Sequence, residues 1–319
     1  MTKGLHRFTL LLAGATLLLI VAGALVTSHD AGLATSDWPL TEGRFLPKSE
    51  SLGITNGVNM VGNLFWEHGH RMIATTVGIL TVVLVVFLFM KEPRQWVRRL
   101  GILSLLGVIA QGLLGGLTVK LMLPLAVSAA HATLAQLFFC TTVALAVFTS
   151  KSWIEARPTL EEKGTLPVRY LAVAAAITIF LQLILGATLR HSATWDRPLP
   201  TDLVVAHIGG GIAVALMLGA TSLMVLRRHA GEKFLTRPAV IALALLGVQL
   251  MLGVAAYMAR LASPNDPQPL RPMIGITVAH VACGALVFAT SIALTFRAFR
   301  VLRATDPSFE LASSEALYR

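Results

Sequence analysis

The chain has 319 residues, 55% of them hydrophobic and 13% charged, and a formal net charge of +10. Soluble domains carry about 25% charged residues, so this fraction, with a mean hydropathy of +0.74, excludes a soluble globular, disordered or fibrous chain. In a membrane protein an excess of Lys and Arg is read by its location, so no nucleic-acid partner is expected.

A transmembrane helix needs about 20 mainly apolar residues. Eight segments qualify: Phe8–Val26, Arg71–Met90, Leu100–Val119, Val127–Phe148, Val168–Leu189, Leu203–Leu226, Pro238–Met258 and Met273–Phe296. The first is too long for a cleaved signal peptide and lacks a small-residue cleavage site. The connection after it, Thr27 to Trp66, is the longest and contains Asp37-Trp38-Pro39-Leu40. Long connections are usually functional, so this one is a candidate cap over the first half. Trp38 reads equally as an anchor at the lipid interface.

The N-terminus, the second, fourth and sixth connections and the C-terminus together carry 18 Lys and Arg, against 7 in the other connections. The latter include Lys48, Arg190 and Arg197; the former include Lys163 and Arg319. This asymmetry predicts that both termini are cytoplasmic. The two cysteines, Cys140 and Cys283, lie in apolar runs at different depths, so they read as packing residues rather than a disulfide.

A repeat runs through the spans. Three odd-numbered spans end alike, in Gln111-Gly-Leu-Leu-Gly115, Gln182-Leu-Ile-Leu-Gly186 and Gln249-Leu-Met-Leu-Gly253; the first span has Gly23, with Leu19 where the glutamine would stand. Each even-numbered span opens with a histidine: His70, His131, His207 and His280. The unit is a helical hairpin used four times. The closer likeness of the last three units also fits two four-helix halves. The expected fold is an all-α integral membrane protein, with eight transmembrane helices in two pseudo-symmetric four-helix bundles, residues 1–150 and 151–319.

Ionisable residues inside spans are rare and usually functional. Four histidines at equivalent places, all toward the outer face, point to a shared ligand role. One turn further in stand Ala74, Ala135, Gly211 and Gly284. Small residues there allow either close helix packing or a flat macrocycle laid against the helix. Imidazole ligates haem iron, and two histidines per half would give two bis-histidine positions. A zinc site fits less well, since no cysteine pair is near and only one histidine has a glutamate beside it.

The halves differ. Glu67 precedes His70 by three residues and shares its helix face; the matching residues elsewhere are Ser128, Val204 and Thr277. A carboxylate there could act as a base or stabilise developing positive charge, or orient His70. Arg71 could pair with a haem propionate or with the headgroup interface. His68 lies about 200° around the helix from His70 and is not expected on the same iron. His6, His29, His191 and His229 read as surface or interface residues.

These residues resemble the haem A synthase family. The resemblance rests on Glu67-His-Gly-His70-Arg71, the histidines opening spans four, six and eight, the Ala31-Gly-Leu33…Asp37-Trp38-Pro39 loop and the Gln-x-x-Leu-Gly span ends. It covers essentially the whole chain. It implies oxidation of the C8 methyl of haem O to a formyl group, by successive hydroxylations, to make haem A for terminal oxidases. It further implies that the first half, with His70 and His131, holds the substrate haem O. The second half, with His207 and His280, would hold haem B as electron-transfer cofactor, and Glu67 matches the family's catalytic glutamate. The expected setting is the plasma (inner) membrane, with haem sites toward the outer face. The haem O-forming enzyme is a candidate partner, and a homo-oligomer is compatible with the family. The first loop has no cysteine pair, so the chain looks like the cysteine-free class, and a thiol-dependent mechanism is not expected. The competing reading is a non-catalytic diheme b-type cytochrome exchanging electrons with quinone; Glu67, present at one site only, discriminates the two.

Overall fold

The computed structural model describes residues 3–41, 43–44, 62–157, 160–162, 166–192, 199–262 and 271–304. Lys48, Lys163, Arg197 and Arg319, used above to sort the charges, lie outside these residues, as does 45–61 of the longest connection. Among the described residues eight helices are long and apolar enough to span a membrane. They are α1 (Lys3–Ser28), α2 (Asn63–Lys91), α3 (Gln95–Lys120), α4 (Leu125–Phe148), α6 (Val168–Ser192), α7 (Thr201–Arg228), α8 (Lys233–Ala262) and α9 (Arg271–Val301). A short α5 (Lys151–Glu155) and two short strands, β1 (Leu160–Glu162) and β2 (Leu302–Ala304), complete the described elements.

At about 1.5 Å per residue the shortest of the eight runs roughly 36 Å, enough for a hydrocarbon core of about 30 Å. The helices overrun the apolar segments read from sequence by several residues. α1 begins at Lys3 rather than Phe8, and α2 at Asn63 rather than Arg71. Hydropathy sees only the lipid-buried centre, whereas the backbone hydrogen bonds continue through the interface. The breaks lie where the chain cannot propagate a helix. Pro93 follows the α2 C-cap, Pro124 and Pro200 precede α4 and α7, and Met122 and Leu123 adopt left-handed φ between α3 and α4. Large apolar side chains such as Ile79, Leu106, Ile212, Leu216 and Met251 point outward. That surface is compatible with lipid and not with water.

The helices pack as two groups of four. In the first, α1 packs on α2, α2 on α3, α3 on α4 and α4 back on α1; in the second, α6, α7, α8 and α9 close the same ring. The histidine-bearing helices α2 and α4, and likewise α7 and α9, therefore stand diagonally across their rings. The groups meet through α1 on α9, α4 on α6 and α4 on α9. Exchanging the halves maps the first contact onto the second and the third onto itself, which is pseudo-twofold packing. A shared core of Ile20, Phe139, Ile179, Leu218, Leu246 and Phe288 runs between them.

Both ends of the described chain lie at one end of the bundle. The Thr9 hydroxyl is 3.0 Å from that of Thr149 at the end of α4, and the His6 ring reaches the same hydroxyl at 3.3 Å. Strand β2, after α9, pairs in parallel with β1. Arginines tie this end together. Arg228 donates to the Leu166 carbonyl at 3.0 Å, Arg297 to that of Phe234 at 3.2 Å, and Arg94 to that of Phe148 at 2.9 Å. His229, expected at the surface or the interface, is buried. It closes α7 through its N–H to Val225 and accepts from the Glu232 amide to start the turn into α8. Burial holds its imidazole below the ordinary value, against the opposing pull of Glu162.

Glu92 is fully buried at this end and takes Arg94 Nε at 2.7 Å and Nη2 at 2.9 Å. Burial alone would raise its carboxyl; the hydrogen bonds and charge of Arg94 outweigh that and hold it below the ordinary 4.5. A depressed folded value adds stability above the unfolded value, and that stability is lost as pH falls through the folded one. Glu92→Gln should therefore cost about 2 kcal/mol near neutral pH. Thermal unfolding in detergent should show the gap closing as pH falls below the ordinary carboxyl value of 4.5.

Candidate functional site

The four histidines lie at the end of the bundle opposite the termini, each within the first ten residues of its helix. Every one packs on the glycine of the preceding helix. A Cβ on Gly23 would sit 3.1 Å from His70 Cε1, on Gly115 3.0 Å from His131 Cε1, on Gly186 2.9 Å from His207 Cε1, and on Gly253 3.1 Å from His280 Cε1. Each glycine is thus a seat that a side chain would fill. The glutamine one turn before it holds the next helix. Gln111 Nε2 donates to the His131 carbonyl at 3.0 Å, and Gln182 Nε2 to that of His207 at 2.7 Å. Gln182 Nε2 also lies 3.0 Å from His207 Nδ1, and Gln249 Nε2 3.2 Å from His280 Nε2. The sequence carries this partnership in the four-residue Gln-to-Gly spacing, always one helix ahead of a histidine. Reading it required knowing which helices touch.

The small residues one turn inside the histidines lie against neighbouring side chains. A Cβ on Gly284 would be 3.2 Å from Gln249 Nε2, and one on Gly211 3.7 Å from Gln182 Nε2; at Gly210 it would overlap Gln182 Oε1. Ala74 and Ala135 pack against apolar cores of the first half and of the shared interface.

Glu67 is 3% exposed. Its Oε1 is ion-paired with Arg71 Nη2, one turn on, and its Oε2 accepts from the Thr35 amide at 2.9 Å. Arg71 also reaches the first connection. Its Nη1 donates to the carbonyls of Asp37 at 2.8 Å and Leu40 at 2.7 Å. His68, one turn before Arg71, bonds the Thr41 hydroxyl at 3.1 Å, which Arg71 also reaches, and is buried. Trp38 lies flat on α3, so that a Cβ on Gly116 would overlap its ring. The described part of the first connection is therefore strapped over the ends of α2 and α3 by groups of the Glu67–Arg71 turn. Thr35, which fixes Glu67, had no signal in the sequence. His29 stacks on Trp66 at 4.0 Å. Arg190, from the end of α6, donates to Ala24 at 3.0 Å and to Ser28 Oγ at 2.6 Å, tying the second half to α1 beside the Gly23 seat.

These donors fit a haem iron bound between two imidazoles. The His207 and His280 ring centroids are 6.3 Å apart. Two metal–imidazole bonds of about 2 Å each, plus the two half-rings, span about the same distance. One ring nitrogen each of His70, His131 and His280 is buried without a hydrogen-bond partner. Among the described residues, no three His, Cys, Asp or Glu side chains form a metal-binding cluster, so the paired imidazoles stand without further ligands.

Fold and site together define a membrane protein of eight spanning helices with two diagonal histidine pairs at one end, and an acid beside one pair. The family model for cytochrome oxidase assembly protein matches residues 6–195, and the chain belongs to that family. Among its relatives, the heme A synthase of Symbiobacterium thermophilum is 29% identical over 272 residues, covering 79% of this chain and 85% of the relative. The heme A synthase of Beijerinckia indica is 38% identical over 135 residues, 41% of this chain and 37% of the relative. That of Bacillus cereus is 26% identical over 203 residues, 59% and 61%.

Proposed function

We propose that this protein is a haem A synthase, an oxidoreductase that converts the C8 methyl of haem O to the formyl group of haem A for terminal oxidases. The observation that carries this reading is the asymmetry of a repeated site: four histidines on four glycine seats, with a buried, oriented carboxylate beside only one pair. His70 and His131 bind the substrate haem O; His207 and His280 bind haem B. Iron in these positions supplies the redox chemistry. The chain's own contribution is positional. Glu67 is held by Arg71 and Thr35 as an acceptor facing the first half, where it takes a proton or stabilises developing positive charge. The strap from His29 to Arg44 covers that end and limits water. A diheme cytochrome would need no acid at one site only, and the names of the relatives favour the synthase.

The concentration of Lys and Arg at the terminal end supports a cytoplasmic location for that end and haem sites at the outer face of the plasma membrane. The haem O-forming enzyme is then the natural source of substrate. Co-expression with a haem O supply, followed by pigment extraction and mass analysis, tests the reading. Haem A is the expected product; haem O recovered unchanged overturns it.

A further inference from the structure

We infer that Gln111, Gln182 and Gln249 are positioning residues that fix His131, His207 and His280 as tight metal ligands, and that Leu19, in the place of a fourth glutamine, leaves His70 as the exchangeable ligand of the substrate haem. This rests on the reading of the histidine pairs as haem sites.

An imidazole that gives one nitrogen to a metal carries its proton on the other. It gains basicity and orientation from a polar partner there, and losing such a partner typically weakens metal affinity about 10–100-fold. Gln111 Nε2 lies 3.5 Å from His131 Nε2, Gln249 Nε2 3.2 Å from His280 Nε2, and Gln182 Nε2 3.0 Å from His207 Nδ1. The amide oxygen of all three glutamines is buried without a partner; turning the amide over would bring that oxygen to a ring N–H as its acceptor. In the orientation seen, two of the amides instead hold the histidine's own carbonyl, which fixes the helix that carries the ring. Backbone carbonyls at this register, those of Leu19, Gln111 and Gln249, face the His70, His131 and His280 rings alike and do not distinguish them.

Leu19 does distinguish them. Its side chain is buried in the apolar core of the first half, packed among Leu12, Val77 and Phe138, and can neither donate to nor accept from His70. The glycine seat is present at Gly23 as in the other three units. His70 therefore has the shape of the repeated site without its polar clamp. It is also the histidine that shares a helix face with Glu67. The coordination position that opens most readily is then the one beside the acid, whereas the haem B pair is clamped on both sides, as an electron-transfer site requires.

The test is carbon monoxide binding to the dithionite-reduced holoprotein, with haem O and haem B content measured separately on the same samples. Leu19→Gln should lower the carbon monoxide affinity of the haem O fraction about 10-fold or more, and Leu19→Met should not. Gln111→Leu, which unclamps the partner ligand, should raise it. Affinities unchanged in both Leu19→Gln and Gln111→Leu, with haem O retained, overturn the inference and leave the synthase reading intact. Loss of haem O from Leu19→Gln but not from Leu19→Met also overturns it, since an added clamp would then disrupt the site. Wild-type protein that binds no haem O removes the synthase reading and this inference together.

Discussion

Glu67→Ala should reduce haem A formation by about 10²–10⁴-fold, the usual worth of a positioned acid or base, while haem stays bound. The two effects separate because Glu67 touches neither glycine seat. Its bonds go to Arg71 and the Thr35 amide, and Arg71 keeps the Asp37 and Leu40 carbonyls when the carboxylate is gone. Pigment extraction gives the product and the pyridine haemochrome spectrum gives total haem. Undiminished haem A in the variant would remove the proton or charge role assigned to Glu67. Arg71→Ala should lower haem A too, through loss of orientation of Glu67.

The second large effect falls in the other half. His207→Ala should abolish haem B binding and leave haem O in the first half. Gly186→Val should do nearly the same without touching a ligand, because a Cβ at 186 already comes within 2.9 Å of His207 Cε1. Forcing extra atoms into a packed site costs about 1–3 kcal/mol, so haem B affinity should fall about tenfold or more. Gly14→Ala on α1, whose Cβ would meet nothing within 4 Å, is the control. Equal haem B content in Gly186→Val and Gly14→Ala would show that the seat does not position the ring.

Much of this was legible in the sequence because a bilayer imposes simple rules. The apolar runs gave the helices to within a few residues, and the recurring histidine gave the repeat. What the sequence withheld are relations between helices. Gln182 and His207 are 25 positions apart and meet only because α6 and α7 pack side by side. Gly210 reads as a packing glycine until Gln182 is seen against it. The protein partners of Arg71 were hidden for a related reason: a charged residue at a helix start has several satisfactory partners in an interface, and only the path of the strap brings Glu67, Asp37 and Leu40 to it. The burial of His229 was hidden because a polar residue after an apolar run reads as exposed unless the turn that encloses it is known.

The interface between the halves has the form of a subunit contact. Helix α1 meets α9 as α6 meets α4, which is the self-complementary pattern of two identical subunits about a dyad. The protein is in effect a homodimer made covalent, with the segment between α4 and α6 as its tether. In a true homodimer any substitution appears twice, and two identical sites result. A single chain is free of that constraint: one site can carry an acid and have a leucine where its counterparts have a glutamine, while the image site has neither feature.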